Sequence, residues 1–347
     1  MTRVVGQGRH DGGGSSRRCS CAGAAAPVTR AGIVSVPGRA GRVIAGIETG
    51  GTKVVCGVAK RSAPHEIVSS RRFPTSTPEV TIAEINAFLS EAALGEPVDA
   101  LGIGTFGPVN VVAELPRYGW ITGTPKPGWA DTDLLGGIDL AAQVPTALLS
   151  DVSGAALGEQ RRGAGVGVAS IGYATFGTGV GVGLVVQGQV LHGNGYPELG
   201  HLLVRRHPLD DFVGCCPLHG DCAEGLASGP AVLARWGASS SSLPARTRPR
   251  AFEILGFYVA QVAAAAAYAA GSERVVLGGG VLKAPGLFEA ANQQLPIVTG
   301  GPGAGHAAAL DAPDFLRRPV LGELSGLLGA IAAAADLLPA RSPHRAS

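Results

Sequence analysis

A chain of 347 residues with 46% apolar and 16% charged side chains is long enough for about two domains and too apolar for global disorder. Seven Arg against the single Asp11 make residues 1–42 basic, while the other 305 residues hold 21 basic and 25 acidic side chains, which is no nucleic-acid footprint. Six Cys are too few for a disulfide scaffold of this size, and the Ala-rich stretch Ala263–Ala270 is too short for a membrane span, so a reduced, cytoplasmic protein without nucleic-acid or membrane partners is expected.

Residues 1–42, with Gly12-Gly13-Gly14-Ser15-Ser16 and an Ala22–Pro27 run, show neither strand nor helix period and read as a flexible extension. Pattern begins at Val43. Val43–Ile47 and Val54–Ala59 are two β-rich runs around the turn Glu48-Thr49-Gly50-Gly51-Thr52-Lys53, a hairpin with a glycine tip. Thr81–Leu94 places Ile82, Ile85, Phe88 and Leu89 on one helical face. Ala100–Thr105 predicts a strand, and Val111–Asp133 a long polar loop of the kind that is functional or disordered. Ala147–Ser150 predicts a short strand and Ser153–Gly158 the opening of a helix.

The pattern then partly repeats. Ser170–Thr175 predicts a strand, Phe176-Gly177-Thr178-Gly179 a glycine tip, and Val180–Val190 the return strand. Two strand–turn–strand units about 126 residues apart point to a duplicated domain rather than a solenoid. Helices follow around Pro230–Arg235 and Phe252–Ala270, then a strand at Arg274–Leu277, the turn Gly278-Gly279-Gly280, and a last helix over Gly326–Leu337. The expected boundaries are 43–150 for a first α/β domain, 151–337 for a second, and 338–347 for a tail.

Three groups of residues carry chemistry. The paired turns offer backbone N–H donors, Thr hydroxyls and the Lys53 ammonium, which suits phosphate; the plainer reading is two hairpin tips in a chain with 54 Gly. Neither turn fits G-x-x-x-x-G-K-[ST] or opens a helix as a dinucleotide fingerprint does. Asp151, at the end of a strand, is placed to accept a proton from a hydroxyl, or else to cap the helix that follows. His201, Cys216, His219 and Cys222 form a His/Cys set of tetrahedral Zn²⁺ type, with Cys215 and His207 as competing ligands. Glu198 and Glu224 flank that segment. Carboxylates and imidazoles suit sugar hydroxyls; the plainer reading is a surface Glu and a structural His.

In order along the chain, Gly46–Lys53, Asp151–Glu159, Thr175–Gly179, Glu198–His201 and Cys216-x2-His219-x2-Cys222-x-Glu224 resemble the ROK family of sugar kinases and repressors. Tyr118–Thr122 with Thr124–Trp129, Val204–Pro208 and Glu224–Pro230 look like its bacterial fructokinase branch. The resemblance covers residues 43–337 and is weak from about 283 to 318. It implies a hexokinase–actin-like (ribonuclease H-like) duplicated α/β fold with a zinc-binding loop, and ATP-dependent phosphorylation of D-fructose at its 6-hydroxyl with Mg²⁺. It implies Asp151 as catalytic base, and Glu198, His201 and Glu224 as sugar contacts. It implies Gly50, Gly51, Thr52, Lys53, Thr175, Gly177, Thr178 and Gly179 as phosphate loops and Gly278, Gly279 and Gly280 as the adenosine turn. His201, Cys216, His219 and Cys222 match the branch's Zn²⁺ ligands. Members of the family often dimerise, so a homodimer is a further expectation. The alternatives are a kinase for mannose or glucose, a sugar-responsive regulator, for which residues 1–42 lack helical periodicity, and a sugar-binding protein without catalysis. Three departures stand out: Ser153 where the family usually has Asn, Val182 where it has Gly, and Thr49 in place of a small apolar residue.

Overall fold

The computed structural model describes residues 43–301 and 308–339; the expected extension over 1–42 and residues 340–347 of the tail lie outside them. Strands β1 (Val43–Thr49) and β2 (Lys53–Lys60) form the first hairpin, with Thr49 opposite Val54. The chain turns again into β3 (Ala63–Pro74), which no sequence pattern announced. This outer strand is mostly exposed and carries Glu66, Arg71 and Arg72 rather than an apolar alternation, as edge strands do. Helix α1 (Pro78–Gly95) starts three residues before the expected point, because Thr77 caps it and Pro78 fits its first turn. Strands β4 (Val98–Thr105) and β7 (Thr146–Ser150) continue the sheet in parallel. Between them the long loop is ordered: β5 (Trp120–Ile121) pairs with β6 (Thr132–Asp133), and Trp129 is fully buried.

Helix α2 (Asp151–Arg162) leads to the second sheet, β8 (Ile171–Phe176), β9 (Val180–Val186), β10 (Gln189–Val190), β11 (Arg274–Gly278) and β12 (Leu316–Arg317). The return strand expected to run to Val190 breaks at Gln187-Gly188. Both residues have positive φ there and turn the chain back as a two-residue hairpin. Helices α3 (Ala223–Ala227) and α5 (Arg248–Ala270) lie on this sheet, and α4 (Gly229–Trp236) and α6 (Leu287–Thr299) pack on them in the same core. By length and composition α5 could cross a membrane, since its apolar stretch begins well before Ala263. Most of it is instead buried among Phe176, Leu184, Leu277 and Leu287 in the second core.

The sheet orders are β3-β2-β1-β4-β7 and β10-β9-β8-β11-β12. Each is an antiparallel meander followed by two parallel strands, and each glycine turn joins the first two strands. The fold is a duplicated α/β fold of hexokinase–actin type. The last helix, α7 (Ser325–Asp336), returns to pack on β1 and β4 and crosses α2. Gly154 and Gly158 meet Gly326 and Gly329 at the crossing, where an added Cβ on Gly158 or Gly329 would strike the backbone of the other helix, and one on Gly326 the Glu48 side chain. Glu159, fully buried in α2, fastens this crossing by accepting from Ala164 N, Val320 N, Leu321 N and Ser325 Oγ.

Candidate active site

The first carboxylate of the site sits where β7 becomes α2. Ser150 is the helix cap, its Oγ accepting from Ser153 N at 3.2 Å, so the capping role considered for Asp151 belongs to its neighbour. Asp151 occupies the first helical position and its Oδ1 accepts from Val152 N at 2.8 Å. A helix N-terminus favours the charged form. Burial outweighs it, and with Glu48 and Glu198 adding negative charge the Asp151 carboxyl is pushed up to about 7. A carboxyl that titrates near neutrality is suited to exchanging a proton with a hydroxyl. Ser153, the departure from Asn, is buried and accepts from Ser150 Oγ at 2.8 Å, which places it beneath the site.

The first glycine turn is closed by Gly50 N donating to Lys53 O at 2.8 Å and braced by Thr75 Oγ1 donating to Gly50 O at 2.7 Å. Gly51 and Thr52 are exposed, and a Cβ at Gly51 would meet nothing within 4 Å, so the tip lies open. Lys53 reaches Glu323 at 3.5 Å, and Glu323 also pairs with Arg72 and Lys283. Thr49, the second departure, is buried and donates its hydroxyl to Thr105 Oγ1 at 2.7 Å. Glu48, to which no role was assigned, has its carboxyl raised by burial against the opposing charge of Lys53. The carboxyl accepts from Leu327 N at the start of α7, while Oε2 is buried without a partner. Its signal in the sequence was an acidic residue ending a buried apolar strand just before a glycine turn.

The second turn is held differently. Gly177 N donates to Gly179 O at 2.8 Å, Gly229 N donates to Gly177 O at 2.7 Å, and Val180 N donates to Glu224 Oε2 at 3.0 Å. A Cβ on Gly177 would meet nothing within 4 Å, and Thr178 is exposed, so this tip is open as well. Thr175 is half-buried. Gly279, at φ +93°, lies against the backbone of Phe176, a conformation and an approach that only glycine allows. The turn expected to pass an adenosine is thereby joined to the second tip. Gly278 is buried against Tyr173, and Gly280 is exposed with open space around it. Val182, the third departure, is fully buried in the second core and takes no part in the tip.

Glu198 and His201 lie on the short segment after β10. Partial burial raises the Glu198 carboxyl, the neighbouring charge of Glu224 adds to this, and His201 and a hydrogen bond from Tyr196 oppose it. Tyr196, also missed in the sequence, accepts from Val109 N at 3.3 Å. Glu48, Asp151 and Glu198 are therefore electrostatic neighbours brought together from three separate segments.

The donor atoms of His201, Cys216, His219 and Cys222 lie within 4.8 Å of one another. Cys216 Sγ is 3.8 Å from His201 Nδ1 and 3.9 Å from His219 Nδ1, and Cys222 Sγ is 3.6 Å from His201 Nδ1. Ligands of a tetrahedral Zn²⁺ at about 2.0–2.3 Å are separated by roughly 3.6 Å, so the set fits that ion. Cys215 is exposed and outside the set. His207 is buried elsewhere, its Nδ1 accepting from Leu209 N.

The family model for the ROK family matches residues 44–336. The chain is 36% identical over 291 residues to a fructokinase of Zymomonas mobilis, covering 83% of this chain and 95% of that one. It is 36% identical over 290 residues to a fructokinase of Pediococcus pentosaceus, covering 83% and 96%. The crystal structure of a ROK hexokinase from Thermus thermophilus superposes with a TM-score of 0.69 at 29% identity, covering 84% of this chain and 97% of that one. With the duplicated sheets, the paired glycine turns and the match over nearly the whole described chain, the protein belongs to the ROK family.

Proposed function

We propose that this protein is an ATP-dependent fructokinase that transfers the γ-phosphoryl group of ATP to the 6-hydroxyl of D-fructose. The observation that carries this reading is the Asp151 carboxyl, titrating near neutrality beside the carboxylates of the first glycine turn and of the Glu198 segment. Similarity to fructokinases along nearly their whole length supports fructose as the sugar. Phosphoryl transfer asks for positioning and charge compensation more than for covalent help from the protein. As the bond from O6 to the γ-phosphorus forms, the bond from that phosphorus to ADP breaks, and the hydroxyl proton passes to Asp151. Glu198, His201 and Glu224 accept from and donate to the sugar hydroxyls. The open tips at Gly50–Lys53 and Gly177–Gly179, with Thr175, receive the polyphosphate, and Gly278–Gly280 receive the adenosine. Glu48, with its unpartnered buried oxygen, would be the carboxylate to hold a Mg²⁺ bound with ATP, which would supply neutralisation of the polyphosphate charge.

His201, Cys216, His219 and Cys222 would hold Zn²⁺, which in a four-coordinate site of protein ligands supplies no chemistry beyond fixing the 201–222 loop and, through it, Glu198 and Glu224. A boundary at 150/151 puts one sheet on either side of the site. The exposed Leu203, Val213 and Leu218 around the Cys/His segment support a homodimer. A cytoplasmic location belongs to the same reading. The test is a hexose panel with ATP, following ADP release. A kcat/KM for fructose well above those for mannose and glucose is expected, and a preference for either of the others would replace fructose in the assignment.

A further inference from the structure

The chain has four Lys, and the fold brings three of them to the glycine turns. Lys53 belongs to the first turn, Lys283 follows Gly278–Gly280, and both pair with Glu323 at 3.5 and 3.7 Å. Lys60 pairs with Glu66 at 3.0 Å at the far end of the hairpin. Lys126 is the exception. Its Nζ donates to Gly51 O at 2.7 Å and to Thr75 O at 3.4 Å, and among the described residues no carboxylate pairs with it.

The side chain is presented by a built turn. Lys126-Pro127-Gly128-Trp129 is closed by Trp129 N donating to Lys126 O at 3.2 Å, with Gly128 at φ +79° after Pro127, the chemistry of a type II turn. Lys126 N donates to Thr124 Oγ1 at 3.3 Å. Trp129 anchors the turn: it is fully buried, packs edge-on against Phe106 at 5.1 Å, and donates its indole N–H to Ser76 O at 2.8 Å. The segment 124–129 is thus fixed to the body, and its ammonium is set at the tip that the phosphate reading leaves open. An ammonium has three donors; two carbonyls take two of them and leave its charge uncompensated. A neutral donor would brace Gly51 equally well, so the positive charge at this place calls for an anion.

We infer that Lys126 binds the terminal phosphates of the donor nucleotide at the first glycine turn, making the 124–129 segment part of the ATP site. This rests on the ATP-dependent reading above. A phosphate could also come from the product fructose 6-phosphate, so binding is measured for each by calorimetry on the whole protein, using AMPPNP with Mg²⁺, fructose 6-phosphate and fructose. Lys126→Gln keeps an N–H donor for Gly51 O and removes the charge. It is expected to weaken AMPPNP by about tenfold or more, as for loss of a charged hydrogen bond, and to leave fructose within about twofold. AMPPNP affinity in the variant should also depend less on salt than in the wild type, a response that loss of a structural brace would not produce. Unchanged AMPPNP affinity in Lys126→Gln, or a loss confined to fructose 6-phosphate, overturns the inference and leaves the kinase reading standing. Wild-type protein that binds no AMPPNP overturns both. Should Lys126→Gln fail to fold, Lys126→Arg decides: retained AMPPNP binding with an unchanged melting temperature supports the charge, and loss of binding in the folded variant overturns it.

Discussion

The two glycine turns occupy equivalent places in two equivalent sheets, yet their surroundings differ. The first is surrounded by charge: Lys53 and Lys126 reach it or belong to it, Glu48 is the last residue but one of its strand, and Glu323 gathers Lys53, Arg72 and Lys283. The second has no lysine within it and is held by a backbone hydrogen bond from Gly229 and by the Glu224 carboxylate on Val180 N. A repeated backbone unit can therefore supply N–H donors in both halves while Lys53, Lys126 and, from the second half, Lys283 gather through Glu323 and Gly51 around the first turn alone. The lesson is that the first turn is built for net charge and the second for shape, with the second wired through Glu224 to the Cys/His segment.

The variant with the largest expected effect lies between the two turns. Asp151→Asn should lower kcat by about 10²–10⁴-fold with fructose affinity kept, because only proton acceptance is removed. A variant with near wild-type kcat would break the assignment. The same substitution tests the electrostatics. The folded pKa of Asp151 lies above its ordinary value of 3.8, at about 7, so the folded state holds the extra proton between those values. Its contribution to stability is favourable at the low end of that window and falls as pH rises toward about 7. Asp151→Asn should accordingly be more stable than wild type at pH 8 by ~2–4 kcal/mol, and the gain should vanish near pH 4. Denaturant melts at the two pH values measure this, and wild-type turnover should decline below about pH 7.

The Cys/His segment comes next. Cys216→Ser should lose the bound metal, from about one Zn²⁺ per chain to near zero by elemental analysis, and raise KM for fructose, since Glu224 shares the loop. Cys215→Ser should retain the metal. The reverse pattern would move the ligand to Cys215.

Smaller effects separate the turns directly. Gly179→Ala places a Cβ at 2.5 Å from Glu224 Oε2 and must displace that carboxylate. Gly51→Ala meets nothing within 4 Å in the protein. Misplacement of a contacting group costs roughly ten- to a hundredfold, so Gly179→Ala should raise KM for fructose as well as for ATP, and Gly51→Ala KM for ATP alone. The melting temperature of Gly51→Ala should be that of the wild type. Equal effects of both variants on both substrates would erase the distinction between the turns.

Much of the fold was legible because local signals agreed with tertiary ones. The apolar runs from Val43 and Val54 read as strands since both faces are buried, and Ile85, Phe88 and Leu89 read as a helix face since one side is. The outer strand β3 was not legible, because an edge strand half in water needs no apolar alternation. Helix α6 was missed for a related reason: it carries Pro296 within it, and few of its side chains are buried.

The site divides in the same way. The sequence by itself determined the donor types, since Gly/Thr turns, a strand-end Asp and a His/Cys set are read from residue chemistry and spacing. Which member of the pair Cys215-Cys216 faces the cluster was settled by the fold, as was the transfer of the capping role from Asp151 to Ser150. Only tertiary structure raised Asp151 toward neutrality, because burial and the charges of Glu48 and Glu198 come from segments distant in the chain. Only tertiary structure brought Lys126 to Gly51, 75 residues away. Electrostatic and hydrogen-bonding neighbours are set by distance in space, and for contacts of this range the chain order holds no record of it.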